Sequence, residues 1–414
     1  MSTRFTIDHL GAQGDGVSKT DSGPVFIPFA LPGEVVSAAR QKNRAELIAV
    51  IEPSQARADP ACRHFGTCGG CALQHLEAEA YNNWKRELVV HALRSQGLDA
   101  PVADIVRCKP HTRRRAIFSA RLTQSGVLLG YRQAASHTIV PIEECPILLP
   151  AIFERLNDLR RVVSLAEPGK DVLRLSVTAT ESGLDVDLGG LKKLGEQPRM
   201  AISRFAGGAG FARVSLGGEI IIEPRKPVVT FGSAAVEVPP GGFLQATSQA
   251  EAAMADLVTT HLATCKRVAD LFSGSGTFAL RLAADAEIHA AESDAAAIAA
   301  LDRASRHTPG LRPVSTERRD LDRRPLTAQE LSRFDGLVLD PPRAGAELQV
   351  RQIAKSGVKR VAAVSCNPVT LARDLSLLTE AGYKLLSVIP IDQFLWSAHV
   401  EAVALLEMPG RPRR

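Results

Sequence analysis

The stretch that most restricts the fold is residues 361–368, Val-Ala-Ala-Val-Ser-Cys-Asn-Pro. Five small or β-branched residues in a row read as a strand buried on both faces, which belongs in a sheet covered by helices on either side. Asn367-Pro368 is a turn signal that ends the strand, so Cys366 lies at its carboxyl end. Ligands of open α/β sheets bind in the crevice beyond those carboxyl ends. A lone cysteine in an apolar run is more often a small buried hydrophobe, and only its company along the chain changes that reading.

That company gathers in the last third. The run Gly241-Gly-Phe-Leu-Gln245 leads into Ser248-Gln-Ala-Glu251, a capping-box pattern, and then a helix to about Thr264. A strand ending near Asp270 and Leu271 turns through Phe272, Gly274 and Gly276 into a helix, so backbone can approach a ligand closely. A tight structural turn fits the two glycines equally well. Glu292 ends the next strand, 16 positions after Gly276, where a carboxylate can accept from a ribose diol or simply face water. Asp340 ends a further strand before Pro341-Pro342-Arg343, where it contacts a ligand or caps the turn. His399 and Glu401, two apart in a strand-like run, are expected on one face.

Upstream the chain changes character. Residues 4–53 hold short β-rich runs, 25–29 and 47–51, separated by glycines, and Pro28 suits an edge strand. A small closed β-barrel of OB type is expected, for which RNA binding and simple packing on a neighbour are equally fitting. Seven cysteines, an odd number in a chain whose first residues lack the apolar core of a signal peptide, argue against a disulfide framework and for a cytoplasmic protein using thiols for metal or catalysis. Cys62, Cys68 and Cys71 fall within ten positions around a Gly-Gly turn, and Cys145-Pro146 closes the set at four. Zinc with four thiolates competes, or with His64 replacing one; the wide first gap and the final Cys-Pro favour a [4Fe-4S] cluster. Cys108 and Cys265 read as packing residues.

Residues 105–142 carry Arg107, Lys109, Arg113, Arg114, Arg115, Arg121 and Arg132 and no acidic residue. Such a face suits a phosphate backbone, with Phe118, Tyr131 and His111 as stacking partners, although charge runs are commonly just solvated. The whole-chain net charge of +5 is too small to argue for nucleic acid by itself. Residues 148–227 alternate in places and read as a mixed sheet with helices, without a catalytic constellation. No apolar run is long enough to cross a membrane.

Taken together, the cysteine spacing, Asp340-Pro-Pro-Arg343, Ser365-Cys-Asn-Pro368 and His399-Val-Glu401 resemble the S-adenosylmethionine-dependent RNA 5-methyluridine methyltransferases over nearly the whole chain. The resemblance implies a TRAM-like β-barrel at 1–55, an α+β iron-sulfur and RNA-binding domain at 56–235, and a Rossmann-like α/β methyltransferase domain at 236–414. It implies Cys366 as nucleophile, Glu401 as general base, and Gln245, Phe272, Glu292 and Asp340 lining the cofactor and target-base pocket, with Asp320 a weaker candidate for an adenine contact. The implied substrate is a uridine in ribosomal or transfer RNA; no obligate protein partner is inferred from the sequence. Uracil C5 is a poor nucleophile, and thiolate attack at C6 activates it, which explains why a cysteine and a base are needed together. A methyltransferase for cytosine or a small molecule, and a non-catalytic RNA-binding factor, are the competing readings; the joint presence of Cys366, Glu401 and Asp340 weighs against the second.

Overall fold

The computed structural model describes residues 2–409. Its strands form three larger sheets and one hairpin. In the carboxy-terminal sheet the spatial order is Val314–Arg318, Glu287–Glu292, Arg267–Leu271, Gly336–Leu339, Arg360–Ser365, Glu401–Glu407, Lys384–Ile391. Neighbouring strands are parallel except where Glu401–Glu407 runs against both of its neighbours. The strand Arg360–Ser365 is central and covered on both faces, as its apolar run requires. Val361 and Ala363 pack with the helices Glu347–Ser356 and Pro368–Glu380. Ala362 and Val364 pack on the other side, with Met254, Val258 and Leu262 of the helix Ser248–Leu262. Each fully buried valine here contributes on the order of 1.5–3 kcal/mol. Asn367 caps the following helix by accepting from the backbone N–H of Val369 at 3.2 Å, with Pro368 in its first turn.

The expected capping box at Ser248 is not formed. Thr247 is the cap, accepting from the Ala250 N–H at 3.0 Å, and Glu251 is drawn instead to Arg114 and Arg281. Thr247 offers a hydroxyl one position earlier, and two guanidiniums outcompete a backbone donor for the carboxylate.

The middle sheet runs Glu219–Ile222, Arg213–Leu216, Gly183–Gly189, Leu173–Thr180, Arg115–Thr123, Gly126–Arg132, Ile139–Pro141. Helices Leu156–Leu165 and Glu196–Gly208 cover one face around a core that includes Phe118, Leu129, Val177 and Phe211. The amino-terminal sheet is six-stranded, with Thr3–Thr6 at one edge and His9–Leu10 at the other, around Phe5, Val25, Ile27 and Val36. Pro28 lies just past the strand Gly23–Ile27 rather than within it.

Two elements cross the expected boundaries. The helix Ala78–Ser95, far from the carboxy terminus in sequence, places Val89, Ala92 and Leu93 in the core under the carboxy-terminal sheet. The hairpin of Val228–Phe231 and Ala234–Glu237 straddles position 235 and packs as a unit on Leu280, Ala300 and Ala304. Among the described residues no helix is long and apolar enough to cross a membrane.

Candidate active site

Four expected site residues follow one another along the carboxyl edge of the carboxy-terminal sheet. Glu292 ends its strand, Phe272 follows Leu271, Asp340 follows Leu339, and Cys366 follows Ser365. Register supplies the fifth. Ser365 pairs with Ala402 on the antiparallel strand, so the next residues out, Cys366 and Glu401, lie across from each other.

Glu401 is 2% exposed, yet a hydrogen-bond chain ties it to Asp340. Gln393 Nε2 donates to Glu401 Oε2 at 2.8 Å and to Gln245 Oε1 at 2.9 Å, and Gln245 Nε2 donates to Asp340 Oδ2 at 2.9 Å. Burial raises the Glu401 carboxyl, the nearby Asp340 charge raises it further, and the Gln393 bond pulls it back. Burial likewise raises Asp340, against the Gln245 bond. The half-buried Cys366 thiol is pushed up to about 11, first by burial and then by Glu401 and Asp340, with the Arg343 guanidinium acting the other way. Titratable groups driven far from their ordinary values at one sheet edge are the pattern of a working site.

His399 does not share a strand with Glu401, because the strand begins at Glu401 itself. It sits in the preceding loop, where its Nδ1 is 3.4 Å from the Arg343 guanidinium and its ring meets Phe394 edge-on.

Beside this group lies the glycine turn. Gly276 has φ +100, and a Cβ there would come within 2.9 Å of Leu301. Phe272 also takes a left-handed φ of 61. Glu292 braces the turn, accepting from Gly274 N–H at 3.0 Å and Asp294 N–H at 2.8 Å. Asp270 Oδ2 accepts from Ala279 N–H at 2.8 Å, while its buried Oδ1 and the Ser273 hydroxyl lack partners among the described residues. Orphaned polar atoms beside a glycine turn, with Glu292 and Asp340 adjacent, suit a polar ligand carrying positive charge and a ribose. Asp320 is turned to its own loop, accepting from Asp322 and Arg323.

Cys62, Cys68, Cys71 and Cys145 line one cavity of about 260 Å³, together with Arg113, Gln393 and Phe394. Among the described residues no group of three or more His, Cys, Asp or Glu side chains is arranged to hold a metal ion. Burial raises all four thiols above their ordinary range, Cys71 up to about 12. His64 Nε2 is engaged by the Glu143 N–H at 3.1 Å. The loop docks beside the active site, since Ala72 and Leu73 N–H donate to the Trp396 carbonyl at 2.8 and 3.2 Å. Gly69 allows a close crossing, where a Cβ would lie 2.7 Å from the Arg132 carbonyl oxygen.

The basic stretch divides. Arg107, Lys109, Arg121 and Arg132 are exposed, whereas Arg114 is buried against Glu251. Phe118 is 0% exposed and packs inward, its ring tilted against that of Tyr131, so it does not meet a base as expected; the inward face of the strand Arg115–Thr123 claims it, whereas the partly buried Tyr131, on Gly126–Arg132, lines the cavity of the four cysteines. His111 remains exposed. Sequence reasoning overlooked Gln393 and the exposed Phe243, which lies under the Arg115 guanidinium at 5.2 Å. For Gln393 nothing local signalled a role. An aromatic in a Gly-Gly turn is a signal that was available for Phe243.

Comparison with known proteins places residues 234–408 in a family described as tRNA (Uracil-5-)-methyltransferase. A Mesorhizobium japonicum protein named as an uncharacterized RNA methyltransferase is 60% identical over all of both chains. The Halomonas elongata 23S rRNA (uracil(1939)-C(5))-methyltransferase RlmD is 35% identical, covering 99% of this chain and 90% of that one. The Pyrococcus abyssi tRNA (uracil-54, C5)-methyltransferase, solved with S-adenosyl-L-homocysteine, superposes with a TM-score of 0.76 at 23% identity, over 97% of this chain and 99% of that one.

Proposed function

This chain belongs to the S-adenosylmethionine-dependent RNA (uracil-C5)-methyltransferases, and from that premise we propose that it methylates a uridine of 23S ribosomal RNA through a covalent bond between Cys366 and C6. The observation that carries the mechanism is the placement of Cys366 across from Glu401, with Asp340 and Arg343 alongside.

The cofactor, when bound, supplies a methyl group made electrophilic by its sulfonium. Gln245, Phe272, Glu292 and Asp340 are assigned to the pocket shared by cofactor and base. Phe243 and the exposed Arg107, Lys109, Arg121 and Arg132 are assigned to RNA held out of its stack, which costs a few kcal/mol. The half-exposed Cys366 gives its proton to water, and the anion is favoured by Arg343. The thiolate forms a bond to C6, and the electron pair of the C5–C6 bond moves toward the 4-carbonyl. C5 then takes the methyl group. Glu401 removes the C5 proton, the electron pair restores the double bond, and the C6–S bond breaks to release 5-methyluridine and the thiolate. A raised Glu401 pKa makes it a stronger base once ionised.

The proposal extends to the accessory parts. Residues 1–55 act as a TRAM-like RNA-binding module, 56–235 as the cysteine-bearing domain and 236–414 as the methyltransferase domain. Cys62, Cys68, Cys71 and Cys145 hold a [4Fe-4S] cluster; support comes from their common cavity, whose size suits a polynuclear group. Its role is to fix the loop bonded to Trp396.

Nucleoside mass spectrometry of ribosomal and transfer RNA fractions, from cells with and without the gene, tests the substrate. Loss of 5-methyluridine from 23S rRNA alone is expected. Loss from transfer RNA instead would overturn the ribosomal assignment.

A further inference from the structure

Gln393 takes no part in the steps above, yet three hydrogen bonds converge on its side chain. Its Oε1 accepts from the Ala246 backbone N–H at 2.8 Å, while Nε2 donates to Gln245 Oε1 and Glu401 Oε2. A backbone N–H can only donate, so Gln393 must turn its oxygen there and its amino group toward the other two. Gln245 must then turn its own oxygen toward Gln393 and its amino group toward Asp340. The two amides are 2% and 3% exposed, and reversing either would set donor against donor where water cannot compensate. The segment is itself pinned from below, where Lys85 and Tyr81 engage Asp392 and Lys85 Nζ donates to the Phe394 carbonyl at 2.8 Å.

The polarity of this chain decides what remains for a ligand. Among the described residues, one N–H of Gln245 has no acceptor, and Asp340 Oδ1 and Glu401 Oε1 have no donor. A donor flanked by acceptors complements the 4-carbonyl and N3–H of uracil. Cytosine presents the reverse, an amino donor at C4 and an acceptor at N3.

We propose that Gln393 is a positioning residue for base choice: by fixing the polarity of Gln245 it makes the site offer a donor to O4 of uracil and refuse the 4-amino group of cytosine. This rests on the uracil reading above. Gln393→Leu removes both the donor that holds Gln245 and the acceptor of the Ala246 N–H, without adding a carboxyl beside Glu401. Gln245, no longer held by Gln393, would be free to reverse and present oxygen to the base.

The test uses full-length protein and transcripts of 23S rRNA containing either 5-fluorouridine or 5-fluorocytidine, whose fluorine cannot leave and so traps the covalent adduct. Gln393→Leu is expected to lower the ratio of uridine to cytidine capture by up to about tenfold, the worth of one ordinary hydrogen bond. S-adenosylhomocysteine binding reports that the variant is folded, and if it is lost, Gln393→Met, closer in length, decides, with a fall in the same ratio expected. In a Gln245→Leu background, replacing Gln393 should change the ratio no further. An unchanged ratio in the single variants, or an equal fall with and without Gln245, overturns the assignment; an equal fall would mean that Gln393 acts through Glu401 instead. Failure of the unaltered protein to capture 5-fluorouridine RNA overturns the uracil reading on which the assignment rests.

Discussion

Replacing Lys85 with Met tests how the site is held rather than what it does. Lys85 is 0% exposed and its partner Asp392 has 1% side-chain exposure, so the pair lies wholly in protein. Its ammonium bonds both the Asp392 carboxylate and the Phe394 carbonyl, at the start of the segment leading to Glu401. Removing it leaves Asp392 with the Tyr81 hydroxyl at 3.0 Å as its remaining side-chain donor, and a buried charge stripped of its partner costs about 3–5 kcal/mol. Burial is the largest influence on Lys85 and lowers its pKa, so desolvation outweighs what the pair returns. The double change Lys85→Met with Asp392→Leu removes both charges and should recover at least half of the loss; the Phe394 carbonyl keeps the Ser397 hydroxyl and N–H at 2.8 and 3.1 Å, and the remainder is the buried Tyr81 hydroxyl left without an acceptor, at about 1–3 kcal/mol. The chain's two tryptophans, Trp84 and Trp396, share one apolar cluster next to this pair, so urea unfolding followed by fluorescence reports on it directly. A double variant no more stable than Lys85→Met, or a single variant costing under about 1 kcal/mol, would refute the reasoning.

Other expectations follow from the same geometry. Cys366→Ala should abolish methyl transfer while leaving S-adenosylhomocysteine binding in place by calorimetry. Glu401→Gln should still form the adduct but release 5-methyluridine at least about 100-fold more slowly in single-turnover assays, the usual worth of a general base. Because burial raises Glu401 in the fold, its proton is bound more tightly there than in the unfolded chain; stability should fall as pH rises from the ordinary carboxylate range through the raised value, a slope that Glu401→Gln should flatten. Activity should run oppositely, rising over that window as the base ionises. Arg132→Ala, at an exposed position, should reduce the slope of log affinity for RNA against log salt by about one phosphate's worth, and an unchanged slope would remove Arg132 from the RNA face.

Much of the site was legible because its members sit at strand ends, which apolar runs and turn residues mark out. Cys366 after its valine-rich strand and Asp340 before Pro341-Pro342 fall where the pattern puts them. His399 did not fit, since period-two reasoning assumes a strand that begins two residues later. Phe118 misled because interleaving with arginines does not reveal which face of a strand a residue occupies; the core took it. Gln393 was invisible for a different reason. Its importance comes from partners at 245, 246 and 401, brought together only by the folded sheet. The same holds for the helix Ala78–Ser95, whose apolar side packs on strands some 300 residues away.

Peptide mapping of the covalent complex with 5-fluorouridine-containing 23S rRNA is the most direct measure of the central claim. Digested with protease and nuclease, the complex should yield a single peptide in which Cys366 carries a methylated fluorouracil, with no such complex from Cys366→Ala. A nucleotide attached to another cysteine, or methylated uridine formed by Cys366→Ala, would contradict the account.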